Sequence, residues 1–304
     1  MAANMLTAYY SRGCDSREIF SKFEISESPD FEKYRNKYNT IFLNMQEFLS
    51  RSDSVEALVD RVKKLVLRDL KREYPDVDYF DDTDLVESMQ DIYETEKCPF
   101  VVIIDEWDCI FREFRQNKEA QEKYLDFLRD LLKDKACIHL AYMTGILPIK
   151  KYGTHSALNM FDEFSMINPG PLAPYVGFTE VEVEYLCHKY RMDMEEVKAW
   201  YDGYSFSMAA SVYSPRSVVN SMLFGKIENY WNQTETFEAL QVYIDMNFDG
   251  LKDDVLSMIA GERIPVNTGS FTNDMTTFRT EDDVLTLLIH LGYLAYDSEN
   301  KVVK

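Results

Sequence analysis

The sequence predicts an α/β fold organised on a parallel sheet and followed by a smaller helical region, and three observations carry that reading. Phe100-Val101-Val102-Ile103-Ile104 is an unbroken, mostly β-branched run that stops abruptly at Asp105-Glu106-Trp107-Asp108. That is the pattern of a strand buried on both faces and ending at a polar site. Two further apolar runs, at 40–45 and 136–143, read as its neighbours. The segments between these runs repeat apolar residues at helical spacing, and connections of that length require parallel strands joined by right-handed crossovers.

In chain order, residues 2–10 are good helix formers with Met5, Leu6, Tyr9 and Tyr10 at apolar positions, but no capping residue precedes them. A short acidic helix follows at 15–23, then the strand at 40–45. From Asp53 the period changes. Val55, Leu58, Val59, Val62, Leu65, Val66 and Leu70 mark a long amphipathic helix, opened by a capping box of Asp53 with Glu56 and ended by Pro75. An acidic loop at 76–84 reads as a solvated face, and Leu85, Met89, Ile92 and Tyr93 mark the helix leading into the central strand. Tyr124, Leu125, Leu128, Leu131 and Leu132 give the next helix, and the strand at 136–143 ends at Thr144-Gly145. Residues 164–167 predict a fourth strand. The Pro/Gly segment from Asn168 to Pro174 then sets a domain boundary, 1–173 against 174–304.

Beyond it the pattern is helical. Thr179 with Glu182 and Asp193 with Glu196 read as capping boxes, and Ser214-Pro215 as a cap followed by an N1 proline. Helices are predicted near 237–246, 251–259 and 281–290, and residues 293–296 with 302–303 predict the two-stranded wing of a winged-helix end. There is no internal repeat and no low-complexity tract.

With 304 residues, 46% of them apolar and 14% aromatic, the chain has material for two folded domains, and wholesale disorder is excluded. No apolar run approaches the roughly 18 residues that span a bilayer, so the expectation is a cytoplasmic protein with no membrane partner. Lys plus Arg at 33 against Asp plus Glu at 53 gives a net charge of −20, which repels a phosphate backbone over most of the surface and argues against nucleic-acid binding. The five cysteines are widely spaced and never in C-x-x-C form, so buried free thiols are expected rather than a disulfide framework or a zinc site. The four histidines show no ligand spacing.

An Asp followed directly by Glu after a buried strand suits metal-assisted phosphoryl transfer. The Asp helps to hold hydrated Mg²⁺, and the Glu polarises the attacking water. Thr144, at the end of the next strand, would bring a hydroxyl near the γ-phosphate. The plainer reading of the same carboxylates is an acidic helix cap.

Val-Ile-Ile-Asp-Glu-Trp-Asp at 102–108, Tyr-Met-Thr-Gly-Ile-Leu at 142–147, Gly-Phe-Thr-Glu-Val-Glu-Val at 177–183, Trp-Tyr-Asp-Gly-Tyr-Ser-Phe at 200–206 and Val-Tyr-Ser-Pro at 212–215 together resemble the bacterial AAA-ATPase-like family, whose module commonly precedes a PD-(D/E)XK nuclease-like domain. The resemblance covers nearly the whole chain. It implies a three-layer parallel sheet of P-loop NTPase type, ATP and Mg²⁺ as cofactors, Asp105 and Glu106 as the Walker B pair with Asp105 on the metal and Glu106 catalytic, Thr144 as a sensor, and a helical lid with a winged-helix region from about Pro174.

The departures from the family pattern are at the two ends. The Walker A loop, G-x-x-x-x-G-K-[ST], is absent from the 304 residues, and Gly13 is followed by no Lys-Ser or Lys-Thr. The expectation is therefore a truncated NTPase-like domain without its P-loop and first strand, which leaves the edge of the 136–143 strand unpaired unless 164–167 fills it. Glu299-Asn300-Lys301 is a lone E-x-K without an upstream acidic strand, so the nuclease-like domain is not expected. Arg216 stands where the family often has an aromatic residue. The functional expectation is a fragment of an ATPase that is inactive alone. The alternative is a non-catalytic interaction module of NTPase fold that binds a protein partner or itself.

Overall fold

Strands β1 (Asn39–Asn44), β2 (Phe100–Asp105) and β3 (Ile138–Met143) form a parallel sheet in the order β1-β2-β3, seen in a computed structural model that describes residues 1–114, 116–146, 158–230, 247–269, 271 and 278–304. The expected helix at 237–246 lies outside the described residues. Among the described residues the chain divides into two compact units, one of Met1–Ile146 with residues 158–161 and one of residues 162–304.

In the first unit β2 is central, as its sequence requires. All five residues from Phe100 to Ile104 are fully buried, each contributing roughly 1.5–3 kcal/mol of apolar burial. Val101 and Ile103 face helix α1 (Ala2–Tyr10) through Ala3 and Leu6, while Phe100, Val102 and Ile104 alternate to the opposite, equally covered face. The C-terminal end of α1 is tied to the start of β1, where Tyr38 donates its N–H to Tyr10 O at 3.0 Å and accepts from Arg12 N at 2.9 Å. Anchored there and packed along β1 and β2, α1 runs against the strand direction, so its N-terminus is directed to the carboxyl ends of the strands.

The predicted helix at 15–23 is only a single turn, α2 (Arg17–Phe20), and α3 (Phe31–Tyr34) and α4 (Met45–Leu49) are equally short. The long helix α5 (Val55–Glu73) is capped by Ser54, which accepts from Ala57 N at 3.2 Å. Asp53 therefore does not open it, and Glu56 instead reaches Lys123 at 2.6 Å. Helices α6 (Leu85–Glu96), α7 (Cys109–Glu113) and α8 (Lys118–Leu132) follow. In α8 the predicted stripe of Tyr124, Leu125, Leu128, Leu131 and Leu132 is buried as expected, and α8 packs on α5. Cys109 and Cys137 are buried, whereas Cys14 is exposed and Cys98 half-buried, so the free thiols are not uniformly interior. Residues 164–167 form no strand. Among the described residues the outer edge of β3 has no strand partner, and its side chains are half-buried or exposed.

Among the described residues the second unit has the predicted helices, and it also has a sheet that the caps did not suggest. It contains a sheet of six strands in the order β4-β6-β5-β8-β9-β7, made of β4 (Phe178–Thr179), β5 (Asp202–Phe206), β6 (Ala209–Tyr213), β7 (Ile264–Pro265), β8 (Tyr296–Asp297) and β9 (Val302–Val303). In place of the expected wing of 293–296 with 302–303, β8 and β9 pair as a hairpin that shares only Tyr296 with the first of those segments, and β8 also pairs in parallel with β5 and β9 with β7, so the hairpin is an interior part of a sheet. Helices α9 (Glu180–Tyr190), α10 (Met194–Tyr201) and α11 (Pro215–Phe224) share a core of Val183, Cys187, Val197, Tyr201, Tyr213, Val218 and Met222. The Thr179/Glu182 capping box is present, and Asp193 caps α10 through Glu195 N at 2.9 Å and Glu196 N at 3.3 Å. Helix α12 (Leu251–Ile259) buries only Leu251 fully and is otherwise half-buried or exposed, whereas α13 (Glu281–His290) is buried from Asp283 to Ile289 on every side.

Candidate active site at the ends of β2 and β3

β2 ends at Asp105, and the chain then turns sharply because Glu106 adopts φ +56°, an uncommon left-handed conformation for a residue with a side chain. The turn brings Trp107 and Asp108 against the loop that follows β3. Thr144 N donates to Ile104 O at 2.9 Å and Trp107 N to Thr144 O at 3.0 Å, so the two strand ends are stitched together one residue beyond the sheet. The Thr144 hydroxyl donates a short hydrogen bond to Asp105 Oδ1. Two residues that lie 39 positions apart are thereby joined at the carboxyl edge of neighbouring parallel strands, where ligands gather in open α/β sheets.

Glu106 is placed differently. Its carboxylate is in contact with Arg112 Nη2 at 2.5 Å, and both side chains are part-exposed. Arg112 Nε lies 3.5 Å from Asp108 Oδ2, and that same oxygen accepts from Ile146 N at 3.1 Å. Asp108 is fully buried and occupies the N-cap position of α7, yet its side chain makes no capping bond to its own helix. The acidic-cap reading thus holds for its position and fails for its chemistry. Gly145 is required by this packing, because a Cβ there would sit 2.7 Å from Asp108 Oδ1 and 2.7 Å from Trp107 Cδ1.

Asp105, Glu106 and Thr144 stand out in the sequence as polar residues at the ends of apolar runs, whereas Arg112, Asp108 and Gly145 join the site only through the fold. Asp108 and Arg112 stand at i, i+4, a spacing that could have flagged the pair. The Glu106–Arg112 contact depends on the left-handed turn and has no spacing signal. Burial pushes the Cys109 thiol up to about 12, which disfavours the thiolate form. Among the described residues no group of three or more His, Cys, Asp or Glu side chains is disposed to hold a metal ion, and no helix is long and apolar enough to cross a membrane. Arg216 is an exposed residue in the first turn of α11.

A sequence model of the AAA-ATPase-like family, described as a predicted AAA-ATPase, matches residues 1–154. The chain belongs to the AAA-ATPase-like family. The match takes in β1, β2 and β3 with Asp105, Glu106 and Thr144. The chain is also similar to an uncharacterized protein in the vnfD 5′ region of Azotobacter chroococcum mcd 1, with 31% identity over 144 residues, which are 45% of this chain and 27% of that protein. The match spans about a quarter of that relative's length. No solved structure matches.

Proposed function

We propose that this chain carries the metal-and-water half of an ATP-hydrolysing site, with Asp105 oriented toward Mg²⁺, Glu106 as the group that polarises the attacking water and Thr144 as a sensor of the γ-phosphate. The observation that carries the reading is the Thr144–Asp105 hydrogen bond at the carboxyl ends of adjacent parallel strands, on the edge toward which α1 directs its N-terminus. A helix N-terminus offers unsatisfied N–H groups and a positive dipole end, both suited to phosphate. Family membership supports nucleotide binding, and the P-loop type of layering belongs to the same proposal.

The donor set fits Mg²⁺ that arrives with a nucleotide. Mg²⁺ keeps most of its waters and needs one or two carboxylates when phosphate oxygens complete its shell, so the lack of a larger acidic cluster among the described residues is compatible with it. Bound there, the ion would neutralise charge on the transferred phosphoryl group. The chain's own contribution is to hold the Asp105 carboxylate with a hydroxyl and to set Glu106 on a rigid turn beside it.

The 304 residues contain no G-x-x-x-x-G-K-[ST] loop. Positioning and charge stabilisation of the γ-phosphate rest on such a cradle, so phosphate release by the purified 304-residue chain is expected at background. Turnover by this chain that Glu106→Gln removes would overturn that expectation. The nucleotide reading itself is tested by calorimetry with Mg-ATP on the 304-residue chain. Binding weakened by Asp105→Asn is expected, and no binding would favour the non-catalytic interaction module instead.

A further inference from the structure

We infer that Arg112 is a positioning residue which fixes the Glu106 carboxylate and, through buried Asp108, couples it to the backbone of the loop at 144–146. This rests on the nucleotide reading only for its purpose, because the coupling itself is a matter of geometry. Arg112 spans both carboxylates, with Nη2 at 2.5 Å from Glu106 and Nε at 3.5 Å from Asp108. Asp108 Oδ2 faces Arg112 and accepts from Ile146 N at 3.1 Å, and its side chain makes no cap bond to a backbone N–H of α7. The connection runs Glu106, Arg112, Asp108, Ile146, and each member is held by another. A fully buried carboxylate such as Asp108 tolerates burial only while it keeps such partners, which makes the unit cooperative.

The consequence for the site is directional. The Glu106 oxygen engaged by a guanidinium is occupied and does not accept a proton from water in this conformation. A shift of the 144–146 loop that carries Thr144 pulls on Asp108 and through it on Arg112, so occupancy at Thr144 and release of Glu106 are linked. Arg112 is thereby a latch whose position reports the state of the loop.

Amide hydrogen exchange on the full 304-residue chain, with no nucleotide added, reads the coupling directly. The Glu106 carboxylate pairs with Arg112, and Asp108 links Arg112 to Ile146 N, so faster exchange at Ile146 N in Glu106→Gln is the signature of that relay. We expect an increase of about threefold or more in Glu106→Gln and about tenfold in Arg112→Met, with rescue toward the wild-type rate in Arg112→Lys, which keeps a cation. Exchange at Val102 and Ile103, in the fully buried strand, controls for folding and should stay unchanged. The part-exposed Glu106 keeps the experiment informative if Arg112→Met does not fold. Unchanged exchange at Ile146 in Glu106→Gln overturns the inference, as does an Arg112→Lys variant no better than Arg112→Met. Failure of Mg-ATP to bind would overturn the nucleotide reading and leave this result standing.

Discussion

Gly145→Ala puts one methyl group into the tightest point of the site, and its cost can be worked out from the contacts. The new Cβ would lie 2.7 Å from Asp108 Oδ1, 2.7 Å from Trp107 Cδ1 and 2.8 Å from Trp107 Nε1, all well inside contact distance. Neither neighbour has room to give, since Asp108 is 0% and Trp107 4% exposed and Asp108 is held by Ile146 N and Arg112. Overpacking of this kind costs about 1–3 kcal/mol. Gly145 has no positive φ, so backbone strain adds nothing and the effect is steric. The assay is urea unfolding followed by the fluorescence of Trp107, with Trp200 and Trp231 replaced by Phe so that the first unit alone is read. A loss of 2 kcal/mol should lower its midpoint by about 1 M. Gly13→Ala is the control, because its Cβ would meet only Ser11 Oγ at 3.7 Å, an ordinary contact, and it should stay within about 0.5 kcal/mol of wild type. A Gly145→Ala protein as stable as the control would refute the packing described here.

Three further outcomes are expected. Gly177→Ala should cost about 2–3 kcal/mol in the second unit, seen by thermal melting, because its Cβ would come within 2.5 Å of the Tyr213 carbonyl oxygen and 2.6 Å of Val212 Cγ1, and strand backbone gives way less easily than a side chain. Tyr124→Phe should leave stability unchanged or raise it by up to about 1 kcal/mol in urea titration, since its buried hydroxyl has no hydrogen-bond partner among the described residues. Burial pushes His290 down to about 4 from an ordinary value near 6.5, so the unfolded chain binds the extra proton first. Its contribution is fully present above about pH 6.5 and is lost as pH falls toward 4, on the order of 2–3 kcal/mol, and His290→Asn should flatten the pH dependence of the second unit's urea midpoint over that window.

The first unit was legible because its physics is local. A strand buried on both faces must be apolar at every position, and β2 is; α5 and α8 carry long stripes that no strand could accommodate. Of the site, Asp105, Glu106 and Thr144 were legible as polar residues at the ends of buried strands. Arg112 was not, because a left-handed turn at Glu106 sets that contact. The second unit hid its sheet. β4, β7, β8 and β9 are two residues each, too short for any period, and β5 and β6 are joined by Ser207-Met208, which lacks the Gly or Asn that marks a two-residue hairpin turn. The residues 164–167 are apolar enough for a strand, yet nothing in the first unit's sheet pairs with them.

Calorimetry with Mg-ATP on the 304-residue chain tests the central claim most directly. The account predicts binding that depends on Mg²⁺ and that Asp105→Asn weakens by about tenfold or more, while Glu106→Gln leaves it in place, as expected for a metal-holding carboxylate beside a group that acts on water. Equal affinity in wild type and Asp105→Asn would contradict it.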